Sequence, residues 1–269
     1  MMPATRLQGS TLVADLHGTS VRLAMLTRPG TGIPLVFLHG FGSTKEDYAD
    51  VIQHPALDTH PVIAYDAPGC GASTCDRYST VDIPFLTDLA REVIARHGYD
   101  RVILVGHSMG GLTALRLATQ EPDLVAGIID IEGNLAPEDC FLSRQIIEHP
   151  RANAQEFLDD FRRRVSGSRF AASAVYAVSL QAKVSPDVVA PIFTSMVDLS
   201  DNAPLLEDFL GLPCPRILMY GEQNAGLSYL SRLAEGGVEL AEIPLSGHFP
   251  MYSNPPAMWH RIAKFVDGI

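Results

Sequence analysis

The residues best suited to chemistry lie in the stretch ILVGHSMGGL, residues 103–112, where a continuous apolar run gives way to a helix-like pattern. Ser108 stands there between Gly106 and Gly110. A serine at such a tight strand-to-helix turn is held in a strained conformation with its hydroxyl lifted above the sheet. A Cβ at either glycine would collide with backbone, and the N-terminus of the helix favours developing negative charge. The pattern therefore predicts that Ser108 is a nucleophile.

The elements that must position this serine are short apolar runs alternating with helical patterns. The central runs are continuously apolar, which is typical of parallel strands covered by helices on both faces. Strand and helix alternation predicts an α/β fold with a mostly parallel, doubly wound sheet, whose ligands bind beyond the carboxyl ends of the strands. The first two of eight strand-like runs are predicted to form a hairpin, and the runs lie at 11–18, 20–30, 33–40, 61–69, 101–108, 125–133, 216–222 and 238–248.

Residues 134–210 interrupt the alternation. They contain no strand-like run and are too many for a structureless loop. Helical patterns over 156–165 and 185–199 predict a helical cap inserted after the sixth core strand, forming the roof of a pocket. We therefore divide the chain into a core domain, 1–133 and 211–269, and a cap subdomain, 134–210.

Four motifs occur in a recognisable order along nearly the whole chain: FLHGFG (37–42), YDAPGCGAS (65–73), VGHSMGG (105–111) and SGHFPMYSNP (246–255). Together they resemble the α/β-hydrolase superfamily, in which they are the oxyanion loop, the loop after the fourth strand, the nucleophile elbow and the histidine loop. The resemblance implies the α/β-hydrolase fold and says much less about the substrate.

A serine hydroxyl needs a base to become a good nucleophile at neutral pH. The resemblance assigns this role to His248, which follows the last strand behind a glycine. His107 lies inside the elbow, and we interpret it as structural.

The base needs an acid to orient it. After the seventh strand the family usually carries aspartate in G-x-x-D, but this chain has the neutral Asn224 there. A carboxylate that ends a buried strand is costly unless it is paired, and the run GIIDIEG ends in Glu132. This resembles hydrolases, haloalkane dehalogenases among them, whose acid follows the sixth strand. We favour Glu132 over Asp130 and Glu222, and a non-catalytic arrangement stays open.

An oxyanion hole needs two backbone N–H groups. The resemblance implies that Phe41 and Met109 supply them. We expect His39, in the same loop as Phe41, to shape the substrate site. The cap residues expected to contact substrate are Phe141, Phe170, Tyr176, Phe193 and Met196.

Composition limits the partners. The chain has 269 residues, 46% of them hydrophobic, and a net charge of −11, so nucleic acid is not an expected partner. The short cluster Arg162–Arg164 is interpreted as a solvated helix face. The four cysteines match no zinc or redox spacing, and neither a secretory signal nor a membrane-length apolar run is evident. We expect a cytoplasmic protein without membrane partner, metal or cofactor, and the sequence leaves its oligomeric state open.

A serine nucleophile implies acyl transfer, whereas similar proteins that open epoxides or remove halides use aspartate at the elbow. We therefore expect hydrolysis of a small molecule: a medium-sized, mainly apolar carboxylic ester, thioester or lactone. An amide or C–C bond hydrolase on the same triad is an alternative. A non-catalytic ligand receptor, suggested by Asn224, and a lyase are two others.

Overall fold

The structure is a computed structural model that describes residues 6–148 and 153–269. Residues 149–152 of the predicted cap lie outside the described residues. So do residues 1–5 of the N-terminal segment in which no secretory signal is expected.

The described residues form one twisted sheet of nine strands in the order β1-β2-β4-β3-β6-β7-β8-β9, with β5 paired to β2. The neighbours from β4 through β9 pair in parallel, while β1 and β2 form the predicted antiparallel hairpin. The fold class is therefore confirmed. The strands are β1 Gln8–Leu16, β2 Thr19–Arg28, β3 Leu35–Leu38, β4 Val62–Tyr65, β5 Thr74–Cys75, β6 Val102–His107, β7 Val125–Ile131, β8 Arg216–Gly221 and β9 Glu239–Ile243.

Every residue of β3, β4, β6 and β7 is buried, which explains why these runs are apolar without alternation. The two-residue strand β5 was not predicted, because two residues carry no periodic pattern. It makes the strand before the predicted cap the seventh of the sheet rather than the sixth.

Helices join the strands and cover the sheet. Helix α2 packs on β6, β7 and β3, and α10 packs on β9. The helices are α1 Ile83–Arg96, α2 Met109–Gln120, α3 Ser143–Glu148, α4 Ala154–Val165, α5 Ala171–Lys183, α6 Val189–Asn202, α7 Leu205–Gly211, α8 Leu230–Glu235, α9 Pro250–Ser253 and α10 Pro255–Asp267. The described residues also contain 3-10 helices, the longest of which is Lys45–Gln53.

The described parts of the segment between β7 and β8 contain the helices α3 to α7 together with short loops, and Val184 forms an isolated β-bridge with Cys70. The chain following α5 is tied to the loop after β4. The Gly71 N–H donates to the Lys183 carbonyl at 2.8 Å, and the Ser185 N–H donates to the Gly69 carbonyl at 2.8 Å. Ser185 caps a 3-10 turn, Pro186–Val188, and α6 begins after it. The helical segment predicted over 185–199 is therefore present with Ser185 as its cap, but its first turn is 3-10 and the α-helix begins at Val189.

Candidate active site

The turn between β6 and α2 carries Ser108. Its φ of 51° and ψ of −117° lie in a region that residues with a side chain rarely adopt. A Cβ at Gly110 would collide with the Leu38 carbonyl, and one at Gly106 would collide with the backbone of Gly110. Both glycines are thus required by close backbone approach, as the sequence predicted.

His248 lies in the loop after β9 and lines the same cavity as Ser108. The rings of Phe141 and Phe249 each meet its imidazole edge-on at 5.0 Å between centroids. The backbone carbonyl of His248 is hydrogen-bonded to His107 Nε2 at 2.8 Å. Full burial lowers the pKa of His107 well below its usual value. His107 is therefore neutral and fixes the loop that carries His248.

The carboxylate in contact with His248 is that of Glu132. Its Oε2 lies 3.4 Å from His248 Nδ1 and accepts a hydrogen bond from Asn224 Nδ2 at 2.7 Å. Its Oε1 accepts from the Gly221 N–H at 2.5 Å. Glu132 directly follows β7, has a positive φ of 53°, and is 9% exposed. Adjacent strand ends therefore bring together one carboxylate, one amide and one backbone N–H.

The other two candidate acids point elsewhere. Asp130 is buried and accepts from the Gly133 N–H at 2.8 Å, and burial raises its pKa to about 8. Glu222 is exposed and accepts from the Leu245 N–H at 2.7 Å. Among the three carboxylates considered, Glu132 alone contacts the imidazole in the described structure.

Within the described residues, no hydrogen bond joins the Ser108 hydroxyl to His248. Such contacts are often long in free enzymes and shorten when substrate binds. Among the residues that the structure describes, no acceptor is hydrogen-bonded to the backbone N–H of Phe41 or to that of Met109. Phe41 lines the cavity that contains Ser108, whereas Met109 is buried and is not among its lining residues.

The cavity above Ser108 has a volume of about 360 Å³. Five predicted site residues besides Ser108 and His248 line it: Phe41, Phe141, Tyr176, Phe193 and Met196. Further apolar wall comes from Leu142, Phe161, Val165 and Phe249.

Two predicted substrate contacts, His39 and Phe170, lie outside this cavity. His39 is buried, and both ring nitrogens are hydrogen-bonded to backbone, at the Gly40 carbonyl (2.7 Å) and the Ala67 N–H (2.8 Å). No ring atom is left to bind a ligand. Phe170 precedes α5 and lines a neighbouring cavity instead. The expectation that Phe170 lines the cavity above Ser108 is therefore wrong. His39 is not a direct contact of that cavity, and its ring holds the loop backbone instead.

Several polar lining residues were missed by the sequence interpretation. Asp139 accepts from the N–H groups of Leu135 and Ala136, each at 2.8 Å, and burial raises its pKa to about 6. Its place in a Pro-Glu-Asp turn predicts a capping residue, but no local signal places it at the cavity. Ser173 and Gln223 also line the cavity, and nothing in their neighbouring sequence marks them.

A sequence model of the alpha/beta hydrolase family matches residues 35–260. The chain belongs to this family. Over 87% of its length it is 25% identical to a pimeloyl-[acyl-carrier protein] methyl ester esterase of Edwardsiella ictaluri, 93% of which is covered. Over 39% of its length it is 32% identical to an sn-1-specific diacylglycerol lipase of Xenopus laevis, of which it spans only 34%.

Solved structures of the alpha/beta hydrolase fold superpose on nearly the whole chain. An N-acyl homoserine lactonase complexed with N-hexanoyl homoserine aligns with a TM-score of 0.76 at 18% identity, over 97% of each chain. At that identity the likeness concerns the fold alone.

Within the residues that the structure describes, no helix is both long enough and apolar enough to cross a membrane.

Proposed function

We propose that this chain is a serine hydrolase that cleaves a medium-sized, mainly apolar carboxylic ester, thioester or lactone through an acyl-enzyme. The observation that carries the proposal is the contact of Glu132 with His248 beside the strained Ser108, at one cavity. The esterase and lipase among the relatives support an ester-like substrate.

In this mechanism Ser108 attacks the substrate carbonyl while His248 takes the hydroxyl proton. Glu132 holds the imidazole by Nδ1 and stabilises its positive charge. The tetrahedral intermediate carries its negative charge toward the free N–H groups of Phe41 and Met109. His248 then protonates the leaving group, and a water activated by the same imidazole releases the acid.

The segment 134–210 acts as the cap in this proposal and determines which substrates fit. It supplies Phe141, Tyr176, Phe193 and Met196 to the cavity wall, which favours an apolar acyl group. The buried aromatic cluster above Ser108 includes Phe41 and Phe193, whose centroids are 4.4 Å apart.

A fluorophosphonate probe tests the nucleophile directly. We expect rapid single labelling of the wild type by intact mass, no labelling of Ser108→Ala, and slow labelling of Glu132→Gln. Labelling of Ser108→Ala would place the nucleophile elsewhere. An unlabelled wild type would contradict an activated serine and favour a ligand receptor.

A further inference from the structure

A second cavity, of about 290 Å³, adjoins the one above Ser108. The two cavities share four lining residues, namely Ser173, Gln223, His248 and Phe249. Ser108 lines only the larger one. His248 is therefore part of a wall common to both cavities.

The shared wall also carries polar groups without protein partners. Ser173 comes from α5 and Gln223 from the turn after β8, and neither side chain forms a hydrogen bond in the described structure. The Gln223 amide lies against Gly247, where a Cβ would collide with it. Because Gly247 has no side chain, the carboxamide of Gln223 can lie next to the backbone immediately before His248.

Acyl transfer places the leaving oxygen beside the same imidazole. The Ser108 Oγ–acyl bond forms in the tetrahedral intermediate. When this intermediate collapses, the C–O bond of the ester breaks, and the proton that His248 took from Ser108 passes to the departing alkoxide. The acyl carbon must lie at Ser108, in the larger cavity. The alcohol half must begin at His248, where the second cavity opens.

We propose that the second cavity binds the alcohol half of the substrate. This inference rests on the proposed ester hydrolysis. The alcohol would have several non-hydrogen atoms, with a hydrogen-bonding group near the ester for Ser173 and Gln223 and an apolar end against Phe170. The Arg169 guanidinium lies over the Phe170 ring at 4.7 Å and is the one formal charge among the lining residues described. The alcohol is therefore uncharged or anionic rather than cationic.

Two isomeric esters test this division of the site. In 2-phenoxyethyl butanoate the phenoxy group belongs to the alcohol, whereas in methyl 5-phenoxypentanoate it belongs to the acyl chain. Ala172 lines the second cavity and not the larger one, so Ala172→Trp would fill the second cavity selectively. Val178→Trp is the matched control, because Val178 is on the same helix and is 63% exposed.

We expect Ala172→Trp to shift the ratio of kcat/KM for the two esters at least about tenfold toward the methyl ester. Val178→Trp should leave the ratio within about twofold of the wild type, since an exposed substitution reaches neither cavity. An unchanged ratio in Ala172→Trp, or a shift toward the phenoxyethyl ester, would overturn the assignment of the second cavity to the alcohol.

Binding without chemistry separates this inference from the proposed function. Affinities of both esters for Ser108→Ala and for Ser108→Ala/Ala172→Trp can be measured by ligand-detected NMR. Weaker binding of the phenoxyethyl ester alone in the double variant supports the alcohol site, even if the wild type cleaves neither ester and ester hydrolysis fails. If Ala172→Trp weakens both esters equally, or if Ser108→Ala binds neither, the alcohol site is wrong whatever the activity.

Discussion

At the scale of single residues, the proposed mechanism depends on how Glu132 is held. Its positive φ turns the side chain away from the strand direction at a cost of about 1–3 kcal/mol, and surrounding contacts must offset that strain. Asn224 donates to the carboxylate oxygen that faces His248, and Gly221 donates to the other. The asparagine that departs from the usual family pattern therefore holds Glu132, the proposed acid, which follows the neighbouring strand.

The roles of Glu132 and Asn224 can be separated by substitution. We expect Glu132→Gln to lower kcat at least about a hundredfold, because a neutral amide does not stabilise the imidazolium. Asn224→Ala should lower kcat less than about tenfold, since one hydrogen bond to a charged group contributes roughly 1.5–3 kcal/mol and water can replace part of it. Steady-state rates on one ester, measured for both variants, check the difference. Equal and small losses would mean that Glu132 is not the acid.

At the scale of elements, helix α5 holds two loops of the active site at once. The Tyr176 hydroxyl donates to the Phe41 carbonyl at 2.8 Å, and the Tyr176 ring stacks on Phe249 at 4.2 Å. Gly42 has a φ of 78° and faces α5 so closely that a Cβ would collide with Leu180. The helix thus fixes the loop of Phe41, proposed to offer an oxyanion N–H, and the loop that carries His248.

Removal of the Tyr176 hydroxyl tests this connection. Tyr176→Phe keeps the stacked ring but leaves the Phe41 carbonyl without its donor, so the oxyanion loop becomes less ordered. We expect kcat to fall about three- to tenfold with a smaller change in KM, and the free energy of unfolding to fall by about 1 kcal/mol. Kinetics and thermal unfolding measure the two effects.

The control for Tyr176 is Tyr48, which is buried and donates to the carbonyl of Leu38, the last residue of β3, at 3.2 Å. Tyr48→Phe should lose similar stability and retain its kcat. If both variants lose kcat equally, or if Tyr176→Phe alters KM alone, α5 does not order the oxyanion loop.

At the scale of the whole molecule, stability depends on ionisable groups kept neutral in the core. Asp130 has a pKa of about 8 in the folded chain because burial disfavours its charge, against an ordinary value of 3.8. Between these two pH values the unfolded chain releases the proton and the folded chain keeps it. The free energy of unfolding therefore falls as pH rises through this window, by up to about 1.4 kcal/mol per pH unit.

The variant Asp130→Asn should remove this dependence, since its amide oxygen still accepts from the Gly133 N–H and nothing titrates. We expect the melting temperature of the variant, relative to the wild type, to increase steadily from pH 5 to pH 8. Parallel melting curves across that range would show that Asp130 is already ionised in the folded protein.

Local pattern was sufficient for much of the fold and for part of the candidate site. Continuous apolar runs indicated the buried parallel strands, and two glycines around Ser108 indicated a turn that admits no Cβ. The turn can be predicted from sequence because its backbone geometry depends on residues that are only a few positions apart. The cost of burying an unpaired carboxylate also favoured Glu132 as the acid, although sequence position alone did not exclude Asp130 or Glu222.

Tertiary structure alone decided which side chains meet. Asn224 and His248 are 92 and 116 residues from Glu132, and the parallel order of β7, β8 and β9 brings all three together. The same long-range packing directs His39 to backbone partners and Phe170 to a second cavity. Sequence by itself determined the eight longer strands and the reactive residue types. Their contacts depended on strand order and cap packing, because no local pattern encodes the distance between side chains on separate elements.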